Sequence, residues 1–213
     1  MSPSPTLSVD KLALVKNLYL TKKLCVREVA DTLDVSSDAV IAFLRRHHFP
    51  MRTRREASQV MFEHKSPSFT KQKLNTTNLK ELAIIGAMLY WGEGYKGNER
   101  LPANTVDFAN SDNKMILLFL KFLRSVFALD EKRLRIYLYC YSNQDILKII
   151  DFWSKITKIP KTQFTKPYVR NDFKATANKM PYGLIHIRYA DKKLLLEIKS
   201  MIESYVTKYA SVV

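Results

Sequence analysis

Three groups of residues in this sequence could do chemistry. The first is an acid, Glu93, set between Gly92 and Gly94 at the end of the apolar run "LAIIGAMLYW". A carboxylate at a helix end is ordinarily just solvated, yet Gly86, Ala87 and Gly92 on the same run are small enough to let a second backbone approach, with Leu89 and Tyr90 filling the sides. If that backbone is the same helix of a second molecule, two Glu93 side chains meet near a two-fold axis. Two carboxylates a few ångströms apart suit a hard divalent cation such as Mg²⁺, and paired metals activate water and steady the leaving oxygen in phosphodiester cleavage. On this expectation Gly86, Ala87 and Tyr90 form a homodimer interface, and Glu93 is both metal ligand and catalytic residue.

The second group is a pattern of cations and phenols. In "RLRIYLYCY" the side chains alternate with a period of two, placing Arg133, Arg135, Tyr137, Tyr139 and Tyr141 on one face and Leu134, Ile136, Leu138 and Cys140 on the other. "LIHIRY" repeats the arrangement, with His186 and Arg188 opposite Ile185 and Ile187, and the extended stretch holding Gln163, Lys166, Tyr168 and Arg170 adds donors. Cations for phosphates and polar groups for base edges are what a sheet lying on nucleic acid needs. A solvent face in which tyrosine serves strand propensity is the plainer alternative.

The third group is N-terminal. "VREVADTLD", the turn "VSS" and "SDAVIAFLRR" form the succession helix, short turn, helix, whose second helix enters a DNA major groove in helix-turn-helix proteins. Ala30 is small where the two helices touch, Val35 plugs the turn, and Val40 and Leu44 are buried positions. Ser37, Asp38, Ile41, Ala42, Arg45 and Arg46 then face outward as DNA contacts. A helical docking module is the alternative.

Charge supports a polyanionic partner: 35 Lys and Arg against 20 Asp and Glu give a formal net charge of +15. A ribosome-associated protein, an anionic-membrane binder or a lysine-rich surface with no partner has the same composition. The two cysteines, Cys25 and Cys140, sit inside apolar segments without a CxxC pair, and read as buried thiols of a reducing compartment. The N-terminus lacks a leader pattern and the apolar runs are broken well short of the roughly 20 residues a membrane span needs. The expectation is a soluble, cytoplasmic protein with no membrane contact.

The elements that must position these groups follow from periodicity. Leu12, Val15, Leu18 and Tyr19 mark a first helix. Residues 1–54 are expected to be a three-helix DNA-binding domain, and 55–78 a basic linker that, with Arg52, Arg54 and Arg55 at its entrance, lies along phosphates. From 79 to 213 helices and strands alternate: the opening helix, a strand in "NTVDFANS", a helix capped by Ser111 or Asp112, the tyrosine strand, a helix in "NQDILKIIDFWSKIT", an extended stretch, the "LIHIRY" strand and a closing helix. Leu118, Phe122, Val126, Ile149, Ile150, Phe152, Trp153, Leu195, Ile198 and Ile202 are its expected core.

The segment "GAMLYWGEG" resembles the LAGLIDADG motif of homing endonucleases, in which a helix ends in an acid followed by glycine, matched here by Glu93 and Gly94. The resemblance spans roughly residues 79 to 205. It implies an α+β fold in which motif helices pack on one face of a curved, mainly antiparallel sheet that saddles DNA, and single-motif members act as homodimers. Glu stands where Asp is more frequent, Met88 and Trp91 are bulkier than usual, and the helix around residues 145 to 157 is additional. Lys166 and Arg188 are the candidates for the family's catalytic basic residues. The resemblance implies a Mg²⁺-dependent, site-specific endonuclease of double-stranded DNA. A non-catalytic DNA-binding regulator, or an RNA-binding splicing cofactor, uses the same surface without cleavage.

Overall fold

A computed structural model describes residues 7–97, 103–171 and 180–210. The chain is α+β, with eight α-helices and one four-stranded sheet among the described residues, and it divides into two compact units between Ser66 and Pro67. No described helix is long and apolar enough to cross a membrane.

The first unit is helical. α1 (Leu12–Lys16) runs between a 3₁₀ turn at Val9–Lys11 and a π-helical turn at Asn17–Thr21. α2 (Val26–Leu33) stops at Asp34, which takes the left-handed conformation with φ 52°, and α3 (Ser37–Arg46) starts from Ser36, whose Oγ accepts from the Ala39 N–H at 3.1 Å. Val15, Leu18, Tyr19, Val29, Ala30, Val40, Phe43 and Leu44 close the core, with Val35 packed against it from the turn.

Residues 55–78 are not an irregular linker. Thr53 and Glu56 cap each other reciprocally, Thr53 Oγ1 accepting from the Glu56 N–H and Glu56 Oε2 from the Thr53 N–H at 2.7 Å, and this starts α4 (Arg54–His64). α4 belongs to the first unit, because Val60 is buried and His64 Nδ1 lies 2.9 Å from Glu28 Oε2. Partial burial opposes ionisation of Glu28, but hydrogen bonds from the Cys25 N–H and His64 outweigh it and hold the carboxyl below its ordinary range.

From Pro67 the chain is part of the second unit, twelve residues before the expected start at 79. Asp191 accepts from the Ser68 N–H and Oγ at 2.9 and 2.6 Å while capping α8 (Lys192–Ala210) through the N–H groups of Lys193 and Leu194. The N–H groups of Thr70 and Gln72 donate to Phe127 and Val126 carbonyls. Burial pushes the Asp191 carboxyl up, and those hydrogen bonds push it further down, so the net shift is below its ordinary value. A folded pKa below the unfolded one contributes stability at pH above about 4, lost as pH falls through the folded value. Asp191→Ala should therefore cost about 2 kcal/mol near neutral pH and flatten the acid limb of a urea-unfolding series. An acid limb unchanged by the substitution would contradict this role.

The remaining elements are α5 (Thr77–Glu93), β1 (Val106–Asn110), α6 (Asn113–Phe127), β2 (Leu134–Tyr141), α7 (Ile146–Thr157), β3 (Tyr168–Arg170) and β4 (Leu184–Tyr189). The sheet order is β1-β4-β2-β3, with β4 antiparallel to both β1 and β2 and β3 parallel to β2. The helix that is additional to the resemblance, α7, is a crossover: it carries the chain back so that β3 can run alongside β2, which a short hairpin cannot do. One sheet face, with Val106, Phe108, Leu134, Ile136, Leu138, Cys140, Ile185, Ile187 and Tyr189, is buried in a single core with α5, α6, α7 and α8. Of the expected core residues, Leu118, Ile150 and Phe152 are only partly buried. Phe119, Leu123 and Phe127 of α6 join them in full. Cys25 and Cys140 are free, buried thiols, and burial pushes the Cys140 thiol up.

Candidate nucleic-acid interface

The period of two in β2 and β4 leaves the other sheet face polar. The pairing sets Asp107, Arg188 and Arg135 in one row across β1, β4 and β2, and Ala109, His186 and Tyr137 in a second. Tyr139 and Tyr168 form a third pair across β2 and β3, followed by Tyr141 and Arg170. The contacts run diagonally between rows. Tyr168 and Tyr139 have ring centroids 5.3 Å apart, and Tyr139 and His186 4.9 Å. His186 Nδ1 lies 2.8 Å from Asp107 Oδ1, Arg188 Nε 3.1 Å from Asp107 Oδ2, and the Arg188 guanidinium is 4.6 Å from the centre of the Tyr137 ring. Arg188 Nε keeps ion-pair distance but not hydrogen-bond direction, leaving that atom buried without a hydrogen bond. Aromatic faces and guanidinium planes so arranged can stack on bases, while cations take phosphates.

Asp107 was missed from the sequence. Its signal was its place between Val106 and Phe108, which puts it on the polar face of a strand that must pair with basic ones.

Not every expected residue lies on this face. Arg133 is in the 3₁₀ turn before β2, donates to the Ala190 carbonyl at 2.6 Å and stacks over Tyr189. Gln163 donates to the carbonyls of Glu131 and Leu134, both at 2.7 Å, and so secures the start of β2. Arg52 is pinned inside the first unit, its guanidinium 4.2 Å from the centre of the Tyr19 ring and donating to Leu24 O. It therefore does not lie along phosphates. Arg54 and Arg55 are exposed in the first turn of α4, and Ser37, Asp38, Ala42, Arg45 and Arg46 are exposed on α3, with Ile41 half-buried.

Glu93 is the last residue of α5, exposed and without a polar partner among the described residues. Beyond it Gly94 pairs with Phe108, and the Tyr95 N–H donates to Asp107 O at 2.9 Å, so the chain leaving the acid runs along the outer edge of β1. Gly94 is glycine because a Cβ there would stand 2.5 Å from the Tyr90 ring and carbonyl. Lys166 precedes β3, at the opposite sheet edge. With about 4.8 Å per strand it is remote from Glu93 within one chain, so it does not flank the acid. Arg188 is one strand in from β1 and is held by Asp107.

The expected dimer interface is overturned. Gly86, Ala87 and Tyr90 are buried in the chain's own core: Gly86 makes room for the Phe122 ring, and Tyr90 stacks near Phe119 and donates to Tyr95 O at 2.8 Å. Burial pushes the Tyr90 phenol up to about 12. The outward face of α5 is instead Ile84, Ile85, Met88, Trp91 and Gly92, of which Trp91 is 49% exposed and Met88 partly buried. A period of 3.6 carries two stripes on this helix, and the small residues belong to the inner one.

Mg²⁺ takes few carboxylates and keeps water or phosphate oxygens for the rest. Glu93 can supply one oxygen donor per chain, and a second copy another, which fits that demand. Among the described residues no three His, Cys, Asp or Glu side chains form a metal-holding group. In comparisons with known proteins, no family model, no curated protein and no solved structure matches the chain.

Proposed function

We propose that the chain is a double-stranded DNA-binding protein whose second unit is LAGLIDADG-like and whose first unit carries a helix-turn-helix. What chiefly supports this is the sheet's open face, where Arg135, Arg188, His186, Tyr137, Tyr139 and Tyr168 stand together in a chain of net charge +15. Further support comes from α5 ending in Glu93 and Gly94 at the sheet edge, and from α2 and α3 joined by three residues. Within this reading the activity is Mg²⁺-dependent, site-specific cleavage by a homodimer. The apolar outer stripe of α5 is the seam and the two Glu93 carboxylates hold the metal. When bound, the metal supplies an activated water and charge neutralisation at the leaving oxygen. The chain's own part is to hold the duplex on the sheet and place Glu93 beside the strand to be cut.

A plasmid library of random sites tests both layers. The wild type should bind and, with Mg²⁺, cut at a discrete set of sites. Glu93→Gln should bind equally and cut at least about a hundredfold more slowly. Binding without cutting by the wild type removes the nuclease activity and leaves a DNA-binding regulator, a reading favoured by Glu93 being the single carboxylate at this place among the described residues.

A further inference from the structure

Asp107 is the sole acid among the described strand residues of the open face. It is also well shielded, with a side chain only 12% exposed, and each of its oxygens meets a different cationic or ionisable neighbour. An ionised carboxylate only accepts, so the hydrogen between it and His186 sits on Nδ1 of the imidazole. The opposite ring nitrogen, Nε2, has no hydrogen-bond partner among the described residues, and the ring is braced against Tyr139. Arg188 is held on the same carboxylate through Nε and lies over Tyr137, which leaves its terminal nitrogens without hydrogen-bond partners among the described residues.

We propose that Asp107, His186 and Arg188 form a proton-gated binding site for one phosphodiester group, with Arg188's terminal nitrogens and His186 Nε2 meeting the phosphate oxygens. The site rests on the nucleic-acid reading above and adds a regulation to it. While the imidazole is neutral, Nε2 presents a lone pair to a phosphate oxygen, acceptor against acceptor, and that contact does not form. With the proton bound, Nε2 donates, and the local charge of the three side chains rises from zero to +1. Phosphate binding and uptake of one proton are therefore linked. The groups facing the imidazole are Asp107 on β1, Tyr137 and Tyr139 on β2 and Arg188 on its own strand; Arg135 and Tyr95 extend the row that holds Asp107 and Arg188. A bound phosphate places an acceptor opposite Nε2 and so favours the doubly protonated ring.

The test is fluorescence anisotropy of the full chain with a short labelled duplex, at fixed ionic strength, at about pH 8 and about pH 6. The chain has three other histidines, His47, His48 and His64, so the reading is the difference between the wild type and His186→Gln, which still donates to Asp107 but cannot change its charge. The wild type should gain about tenfold more affinity on acidification than the variant, with a log-log salt slope steeper by about 0.9. Nitrogen-15 NMR of the wild-type imidazole supplies a readout independent of any substitution: His186 should be the Nδ1–H form, and duplex should raise its protonation midpoint by about one pH unit. Duplex binding with the same pH response in both proteins and an unmoved midpoint would overturn the gate and leave the DNA reading standing. Binding at neither pH would overturn both.

Discussion

Gly86→Ala is expected to destabilise the second unit by about 2 kcal/mol, even though alanine is the better helix former by about 1 kcal/mol. An added Cβ would stand 2.0 Å from Cγ of Phe122 and 2.3 and 2.4 Å from the adjoining ring carbons. Those atoms are the root of a ring that is itself fully buried, with Phe119 at 5.8 Å and Phe127 edge-on at 5.4 Å, so the ring cannot swing aside. Either α5 or α6 must shift, and both carry the core under the sheet. Urea unfolding checks this. The loss should be independent of protein concentration and much smaller in a chain that already carries Phe122→Ala, which lacks the clashing Cγ. A loss that disappears as protein concentration rises would put Gly86 back at a subunit seam.

Arg135→Gln combined with Arg188→Gln should weaken duplex binding by one to two orders of magnitude at about 0.15 M salt, because each removes one phosphate contact and the counterions it releases. Arg135 is exposed, and its bonds to the Lys132 and Leu134 carbonyls, at 2.6 and 2.7 Å, secure only the strand's entry. Arg188 rests on Tyr137 and pairs with Asp107, whose carboxylate keeps His186 as a partner in the variant. The thermal midpoint should therefore move little while affinity falls, which separates an interface from a scaffold. The weakening should be similar for unrelated duplex sequences, since phosphate contacts carry no base information.

Local periodicity made much of this fold legible. The alternation in β2 and β4 fixed which face is buried, and the expected cap at Ser111 or Asp112 placed the start of α6, which Asp112 caps. The Thr53 to Glu56 cap was equally readable, but a cluster of arginines beside it suggested a loop. What could not be read was the partner of each helix face. Gly86 and Ala87 are small whether the approaching group is a second subunit or Phe122, and only the folded chain decides. The same holds for Gln163 and Arg52, whose donors look available in the sequence and are spent on carbonyls of the chain itself. Asp107 lay in an expected strand, yet its pairing with His186 needs β1 and β4 to be neighbours across 79 positions of sequence, and no local pattern specifies that.

The most direct test of the central claim is the salt dependence of duplex affinity for the wild type and for the Arg135→Gln, Arg188→Gln chain. A steep log-log slope for the wild type, made shallower by about 1.8 in the double variant, is what a DNA-facing sheet predicts. A slope that is flat, or steep and the same in both proteins, would contradict it.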